Sequence, residues 1–155
     1  MTCWQDILFT DGFCSGSHGL SIGSVGGRSN NEVRNVTFSN SRVVDSQQAI
    51  RIKTISGATG SVTGVTYRNV TFAGITKYGI VVDQSYNGDK GQPTNGVLVS
   101  DFVLEDVEGT VRGSATNVYI NCGSGSCRDW RWSEVRVSGG TKRVQCQNAP
   151  APLSC

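Results

Sequence analysis

The chain has 155 residues, of which 37% are hydrophobic, and this is enough for one domain with a core. Charged residues make up 17% and glycines number 20, a composition typical of β-structure with many turns. The formal net charge of +2 does not predict a nucleic-acid partner. No apolar run approaches the roughly 20 residues that span a bilayer, so the sequence does not predict a membrane protein. We expect residues 1–155 to form a single domain.

Two sets of short strand-like runs recur along the chain. The first set begins at Asp6, Asn35, Asn69, Asp101 and Trp130, and its longest interval lies between Asn35 and Asn69. The second set begins at Gly19, Ile50, Ile80 and Val118, and its last interval is the longest. A shared period of about 30 residues that carries several strands and no helix predicts an all-β fold, a right-handed parallel β-helix, in preference to a β-sandwich.

Stacking of these coils turns sequence positions into columns on the solenoid. The inward column is predicted to contain Leu20, Ile50, Ile80 and Val118. Because side chains alternate between the two faces of a strand, two outward columns follow, one of Ser21, Arg51 and Val81 and the other of Gly23, Lys53 and Asp83.

Arg51 and Lys53 project from the same face of one strand, because alternate residues of a strand share a face. Two adjacent cations suit an anion, since the guanidinium fork matches a carboxylate and the ammonium adds a point charge. The alternative is a solvated strand face in which Lys53 pairs with Asp83 on the next coil.

Two further residues lie near this face in the predicted solenoid. His18 precedes the neighbouring strand on the rim of the same region, where it is either a turn residue or part of a site. Tyr86 follows the strand after Arg51 and Lys53, and it either caps the apolar stack or presents its ring to a sugar at the mouth of a cleft.

The six cysteines indicate an oxidising compartment, and two pairs each close a short loop, Cys122 with Cys127 and Cys146 with Cys155. The chain has one His and lacks the spacing of a zinc site, so we expect no metal. Two Asn-Val-Thr sequons, at Asn35 and Asn69, fit a glycosylated extracellular protein. The first residues do not read as a signal peptide, so we expect the N-terminus to be incomplete.

Several segments resemble one enzyme family. The run from Cys14 to Ser24 contains a Ser-His-Gly that is similar to the Gly-His-Gly signature of the polygalacturonases, glycoside hydrolase family 28, and Arg51-Ile-Lys53 is similar to their Arg-Ile-Lys signature. The similarity continues through 33–38 and 78–82 and both cysteine pairs, so it covers nearly all of the chain from Asp6 onward and is strongest to fungal endopolygalacturonases.

The resemblance implies a secreted enzyme that hydrolyses the α-1,4 bonds of polygalacturonate in pectin by inversion, without a metal or cofactor. It implies that His18 assists the catalytic acid, that Arg51 and Lys53 bind a galacturonate carboxylate, and that Tyr86 contacts the substrate. It also implies the disulfides Cys122–Cys127 and Cys146–Cys155, and it suggests a plant polygalacturonase-inhibiting protein as a second partner besides pectin.

The family's catalytic aspartates lie in Asn-Thr-Asp and Asp-Asp-Cys motifs, and this chain contains neither motif. The resemblance therefore implies an N-terminally truncated β-helix that is weak or inactive alone. Asp83 is the nearest carboxylate on the stacked map, but it has no second acid beside it. Two alternatives remain, a non-catalytic protein that binds pectin or oligogalacturonate as a decoy, and a fragment of a related uronan hydrolase that acts on rhamnogalacturonan.

Overall fold

The computed structural model describes residues 3–29 and 31–153, and these residues form twelve β-strands and no helix. The strands in chain order are β1 (Cys3–Thr10), β2 (Phe13–Ser15), β3 (Leu20–Val25), β4 (Asn31–Val44), β5 (Gln48–Ile55), β6 (Gly60–Ile75), β7 (Tyr78–Tyr86), β8 (Val97–Val111), β9 (Thr116–Asn121), β10 (Cys127–Arg128), β11 (Arg131–Ser138) and β12 (Gln145–Gln147).

All strand pairs are parallel, and they build two sheets around one core. One sheet has the order β1-β4-β6-β8-β10, with β2 paired to β4 and β11 paired to β8. The other sheet, which we call the site sheet, has the order β3-β5-β7-β9-β12. The chain passes from one sheet to the other and back in about 29 residues, which gives a β-solenoid of about five turns. The predicted all-β solenoid of parallel strands is confirmed.

The inward column of the site sheet is the one that the periodicity predicts. Leu20 pairs with Ile50, Ile50 with Ile80, and Ile80 with Val118. Ile50 and Ile80 are fully buried, and Leu20 is 3% exposed. Because Gln48–Lys53 of β5 lie in register with β7, the outward residues of this stretch also lie beside their counterparts on the next coil.

Two runs that are similar in sequence do not stack on each other. The similar runs Asn35–Phe38 and Asn69–Phe72 do not lie on each other, because Phe38 pairs with Tyr67 and Phe72 pairs with Val43. The strands β4 and β6 are 14 and 16 residues long and bend twice, so each coil has two corners that accept the same residue types. The two runs come from different corners, which explains why the interval between their starts is the longest of the first set.

Asparagine and aspartate make these corners. At the first corner Asn35 and Asp101 have φ values of 54° and 52°, and at the second Asn40 and Asn69 have 49° and 52°. These residue types reach the left-handed region at low cost because their short polar side chains bond locally. Asn69 Nδ2 donates to Asn40 Oδ1 across the coils at 2.8 Å. The bends let one strand wrap around the core, and they place the exposed sequon residues Asn35 and Asn69 at the surface.

A ladder of aromatic rings fills the interior opposite the site sheet. The ring of Phe38 stacks on Tyr67 at 4.7 Å, and Phe102 meets Tyr67 and Trp130 edge to face. The hydroxyl of Tyr67 donates to the carbonyl of Leu20 at 3.1 Å, which ties the two sheets together. Burial raises the pKa of the Tyr67 hydroxyl, so this group remains a donor.

The inward column predicts a large loss of stability when one of its members is truncated. We expect Ile80→Ala to lower the free energy of unfolding by about 3 kcal/mol, because the substitution leaves a cavity between two packed neighbours. Leu8→Ala is the matched control: Leu8 is 67% exposed, so the same kind of truncation should cost less than about 0.5 kcal/mol. Urea unfolding of both variants measures the difference, and equal losses would contradict the stacked core.

Candidate functional site

The outer face of the site sheet brings three of the predicted residues together. Arg51 and Lys53 are alternate residues of β5, and Tyr86 ends the neighbouring strand β7. Arg51 pairs in register with Ser21 on one side and Val81 on the other, and Lys53 pairs with Asp83. The predicted column of Ser21, Arg51 and Val81 is therefore present. In the other column Lys53 lies beside Asp83, whereas Gly23 falls in the irregular stretch between Ile22 and Val25 and has no partner in the ladder.

Arg51 is held by its neighbour on the preceding coil. Its Nε donates to Ser21 Oγ at 2.8 Å, which uses one of the five N–H donors of the guanidinium. Partial burial lowers the pKa of Arg51 below its usual value, and the nearby Tyr86 and Tyr67 hydroxyls act in the opposite direction. No carboxylate among the described residues pairs with Arg51. This partly desolvated cation would gain from an external anion.

Lys53 interacts with the aromatic ring of Tyr86. Its Nζ lies 4.1 Å from the ring centroid, within the range of a cation–π interaction. The alternative of a Lys53–Asp83 ion pair does not occur, although the two residues are neighbours in register. The Asp83 carboxylate accepts its hydrogen bonds from Ser85 and Asn121 instead.

Around these residues lies a cleft of about 480 Å³ on the site sheet. Positive charge dominates it, because five of its side chains are cationic and one, Asp83, is a carboxylate, whereas the whole chain carries a net charge of only +2. The lining residues are Gln48, Arg51, Lys53, Thr76, Lys77, Tyr78, Val81, Asp83, Tyr86, Lys90, Thr116 and Lys142. Such a concentration of cations favours an anionic ligand.

His18 lies at the rim of the cleft and not in its lining. It is exposed, precedes β3 and is part of no strand. Its Nδ1 donates to Gln48 Oε1 at 3.3 Å, and Gln48 is a buried residue that lines the cleft. In the neutral ring this bond leaves Nε2 as an acceptor.

Three lysines and two polar residues of the cleft are absent from the sequence-based prediction: Gln48, Lys77, Tyr78, Lys90 and Lys142. Gln48 and Tyr78 each lie two positions before a member of the inward column, and they pair with each other in register. A residue two positions before an inward residue shares its inward face, so the period of two alone would not have placed either side chain in the cleft. Lys90 lies in the loop after β7, where no periodicity applies.

The strand β7 is fixed from behind the cleft by a buried glutamine. Gln84 is fully buried, and its Nε2 donates to the carbonyl of Val97 at 2.7 Å. Its Oε1 accepts from the backbone N–H of Gly123 at 3.0 Å and from the hydroxyl of Ser126. Gly123 and Ser126 lie inside the loop that the Cys122–Cys127 disulfide closes. The disulfide loop therefore helps to hold the strand that carries Asp83 and Tyr86.

The remaining cysteines do not assemble a metal site in the described part of the chain. Cys14 is a free, partly buried cysteine. The predicted partner of Cys146, Cys155, lies outside the described residues. Within residues 3–29 and 31–153, no group of three or more His, Cys, Asp or Glu side chains could hold a metal ion. The same residues contain no helix that could cross a membrane.

The chain is thus a parallel β-solenoid with a cation-rich cleft on the outer face of one sheet. Its residues 2–155 match the model of glycosyl hydrolases family 28, and the chain belongs to this family.

Similar proteins agree with this assignment. The chain is 60% identical over 153 residues to a probable endopolygalacturonase B from Aspergillus fumigatus and 56% identical to endopolygalacturonase II from Aspergillus niger. In each case 97% of this chain but 42% of the relative is covered, so the chain spans less than half the length of these curated relatives. A solved structure of endopolygalacturonase I from Stereum purpureum, complexed with two galacturonate, is similar with a TM-score of 0.81 at 39% identity, over 88% of this chain and 41% of that one.

The disulfide loop behind the cleft leads to a stability prediction. Replacing Cys122 and Cys127 together by Ala should lower the free energy of unfolding by about 2 kcal/mol, the loop-closure contribution of a short disulfide loop. Replacing the free Cys14 by Ala is the control, and it should cost clearly less than the double replacement. Chemical denaturation measures both, and an unchanged midpoint in the double variant would contradict a structural role of the loop.

Proposed function

We propose that the chain provides the substrate-binding cleft of a polygalacturonase, a glycosidase that hydrolyses the α-1,4 bonds of galacturonan in pectin with inversion, and that the chain alone is weak or inactive. The observation that carries this proposal is the cleft of a family 28 chain in which Arg51, Lys53 and Tyr86 lie together among five cations and one carboxylate. Each unit of polygalacturonate carries a carboxylate, so the charge of the cleft is opposite to that of the substrate.

The three residues suit different parts of a galacturonate unit. Arg51 presents a guanidinium fork that matches a carboxylate, and Lys53 adds a compact positive charge on the same strand face. Tyr86, which is 39% exposed, offers a ring with an apolar face and a polar hydroxyl, as a sugar requires. Two cations close to one carboxylate favour plain galacturonate units over uncharged sugars in the same position.

Hydrolysis by inversion requires two carboxyl groups, an acid for the leaving oxygen and a base for water, roughly 6.5–9.5 Å apart. Among the described residues, the cleft is lined by one carboxylate, Asp83, and its Oδ1 accepts three hydrogen bonds. We therefore assign this chain to substrate binding and expect little turnover from residues 1–155 alone. His18, with Nδ1 bound to Gln48, would assist the proton transfer through Nε2.

Secretion, glycosylation and an inhibitor as a second partner are further parts of the proposal. The Cys122–Cys127 disulfide fits an oxidising compartment. Asn35 and Asn69 are exposed at the corners of the coils, which is where an oligosaccharide has room. The concave, charged rim of the cleft would be the surface that a plant polygalacturonase-inhibiting protein has to cover.

Binding of oligogalacturonate tests the proposal directly. We expect Arg51→Ala/Lys53→Ala to weaken binding at least about 30-fold, because a charge-assisted hydrogen bond contributes about 2 kcal/mol. Arg68→Ala/Arg128→Ala is the control: it removes the same two charges from exposed positions on the other sheet and should change the affinity less than about two-fold. Calorimetry at fixed ionic strength measures both.

The same experiment can also contradict the proposal. If both double variants lose affinity equally, net charge and not the cleft carries the binding, and the assignment is wrong. Release of reducing ends from polygalacturonate by this chain alone would contradict its assignment to binding.

A further inference from the structure

Asp83 lines the cleft, yet its carboxylate forms no ion pair with a cation of the described residues. Its Oδ1 accepts from the backbone N–H of Ser85 at 3.0 Å, from the Ser85 hydroxyl at 2.7 Å and from Asn121 Nδ2 at 2.9 Å. Lys53, its neighbour in register, points its ammonium to Tyr86 instead. The family assignment and the proposed function leave these contacts of Asp83 without a role.

The partners of Asp83 are buried and bonded to each other. Asn121 is fully buried and Ser85 is 4% exposed. Asn121 Nδ2 also donates to Ser85 Oγ at 3.2 Å, which closes a triangle of three side chains, Asp83, Ser85 and Asn121. Opening this network would leave the Asp83 carboxylate and the Asn121 Nδ2 group without these hydrogen bonds, which favours the closed arrangement, although Asn121 Oδ1 is buried without a partner.

The triangle lies where the strand ladder becomes irregular. Lys53 pairs with Asp83 and Ile55 pairs with Tyr86, so β7 has one residue more than β5 between these two pairs. The ladder between β7 and β9 ends at Asp83 and Asn121. A β-bulge of this kind changes the direction of the side chains that follow it. The residue that directly follows the bulge is Tyr86.

We infer that Asp83 is a positioning residue: its carboxylate holds the bulge in β7 through Ser85, and the bulge directs the Tyr86 ring beneath the ammonium of Lys53. The negative charge of Asp83 stabilises the conformation of β7 and does not neutralise the cations of the cleft. The expected effect of Asp83 on ligand binding rests on the proposed function, whereas the position of the Tyr86 ring can be measured without a ligand.

The first test is the ring-current shift of Lys53 in the free chain. Tyr86→Leu removes the ring and defines the position of the Lys53 ε-methylene resonance without it. We expect Asp83→Ala to move this resonance most of the way to that position. Asp89→Ala is the matched control, since it removes a carboxylate from the exposed loop after β7 and should leave the resonance in place. An unchanged resonance in Asp83→Ala, or an equal change in Asp89→Ala, would overturn the inference.

A milder variant keeps the test decisive if Asp83→Ala does not fold. Ser85→Ala removes the hydroxyl donor but keeps the backbone N–H and the carboxylate, so it should move the Lys53 resonance part of the way. Circular dichroism identifies a folded variant. A folded Ser85→Ala with the resonance of the parent chain would count against the network.

The second test is binding of trigalacturonate by calorimetry. Asp83→Ala and Tyr86→Leu should each weaken binding by about five-fold, which corresponds to about 1 kcal/mol for an exposed cation–π contact and its ring. The double variant should be no weaker than Tyr86→Leu, because Asp83 acts through Tyr86. Additive losses would overturn the inference. If the parent chain binds no trigalacturonate, the proposed function fails, while the Lys53 resonance still decides the role of Asp83.

Discussion

The in-register stacking of parallel strands is the constraint on which the other features of this structure depend. Ile50 and Ile80 are fully buried one above the other, and their strands are in register from Gln48 to Lys53. A shift by a single position would turn this apolar column outward and the cations inward. Burial of the column therefore determines which residues face the cleft, and strands about 4.8 Å apart bring residues from distant parts of the sequence into contact.

The same constraint has an electrostatic cost. Arg51 and Lys53 are held on one strand face, and the described carboxylates leave both without an ion pair. The Ser21 hydroxyl and the Tyr86 ring provide weaker, neutral partners that orient the cations without neutralising them. Asp83, the one carboxylate in the described cleft lining, is bonded to Ser85 and Asn121. The cleft thus keeps a positive charge that an anionic ligand can stabilise.

The sequence predicts the repeated parts of the fold better than the irregular ones. Alternation and the regular coil period are enough to place Leu20, Ile50 and Ile80 inside and Arg51 and Lys53 outside, because each coil must bury the same positions. The sequence similarity of Asn35–Phe38 and Asn69–Phe72 does not correspond to stacking, because both corners of a coil favour the same left-handed Asn residues. Local similarity cannot distinguish two corners with equal backbone requirements.

The bulge in β7 and the additional lysines could not be predicted from the repeat pattern, for a different reason. Asp83, at the start of the bulge, is hydrogen-bonded to Asn121, which is 38 residues away in sequence and reaches it only because two coils are adjacent. Lys90 reaches the cleft from a loop, and Lys142 enters through a single bridge to Thr116. These positions follow from tertiary contacts and leave no periodic pattern.

We propose that Arg51 and Lys53 together bind a galacturonate carboxylate at the Tyr86 end of the cleft. A crystal structure of the chain with bound trigalacturonate tests it most directly. We predict one carboxylate within about 3.2 Å of both the guanidinium and the ammonium, with the sugar against the ring of Tyr86. A trisaccharide bound on the other sheet, or bound in the cleft with its carboxylates directed to solvent, would contradict the claim.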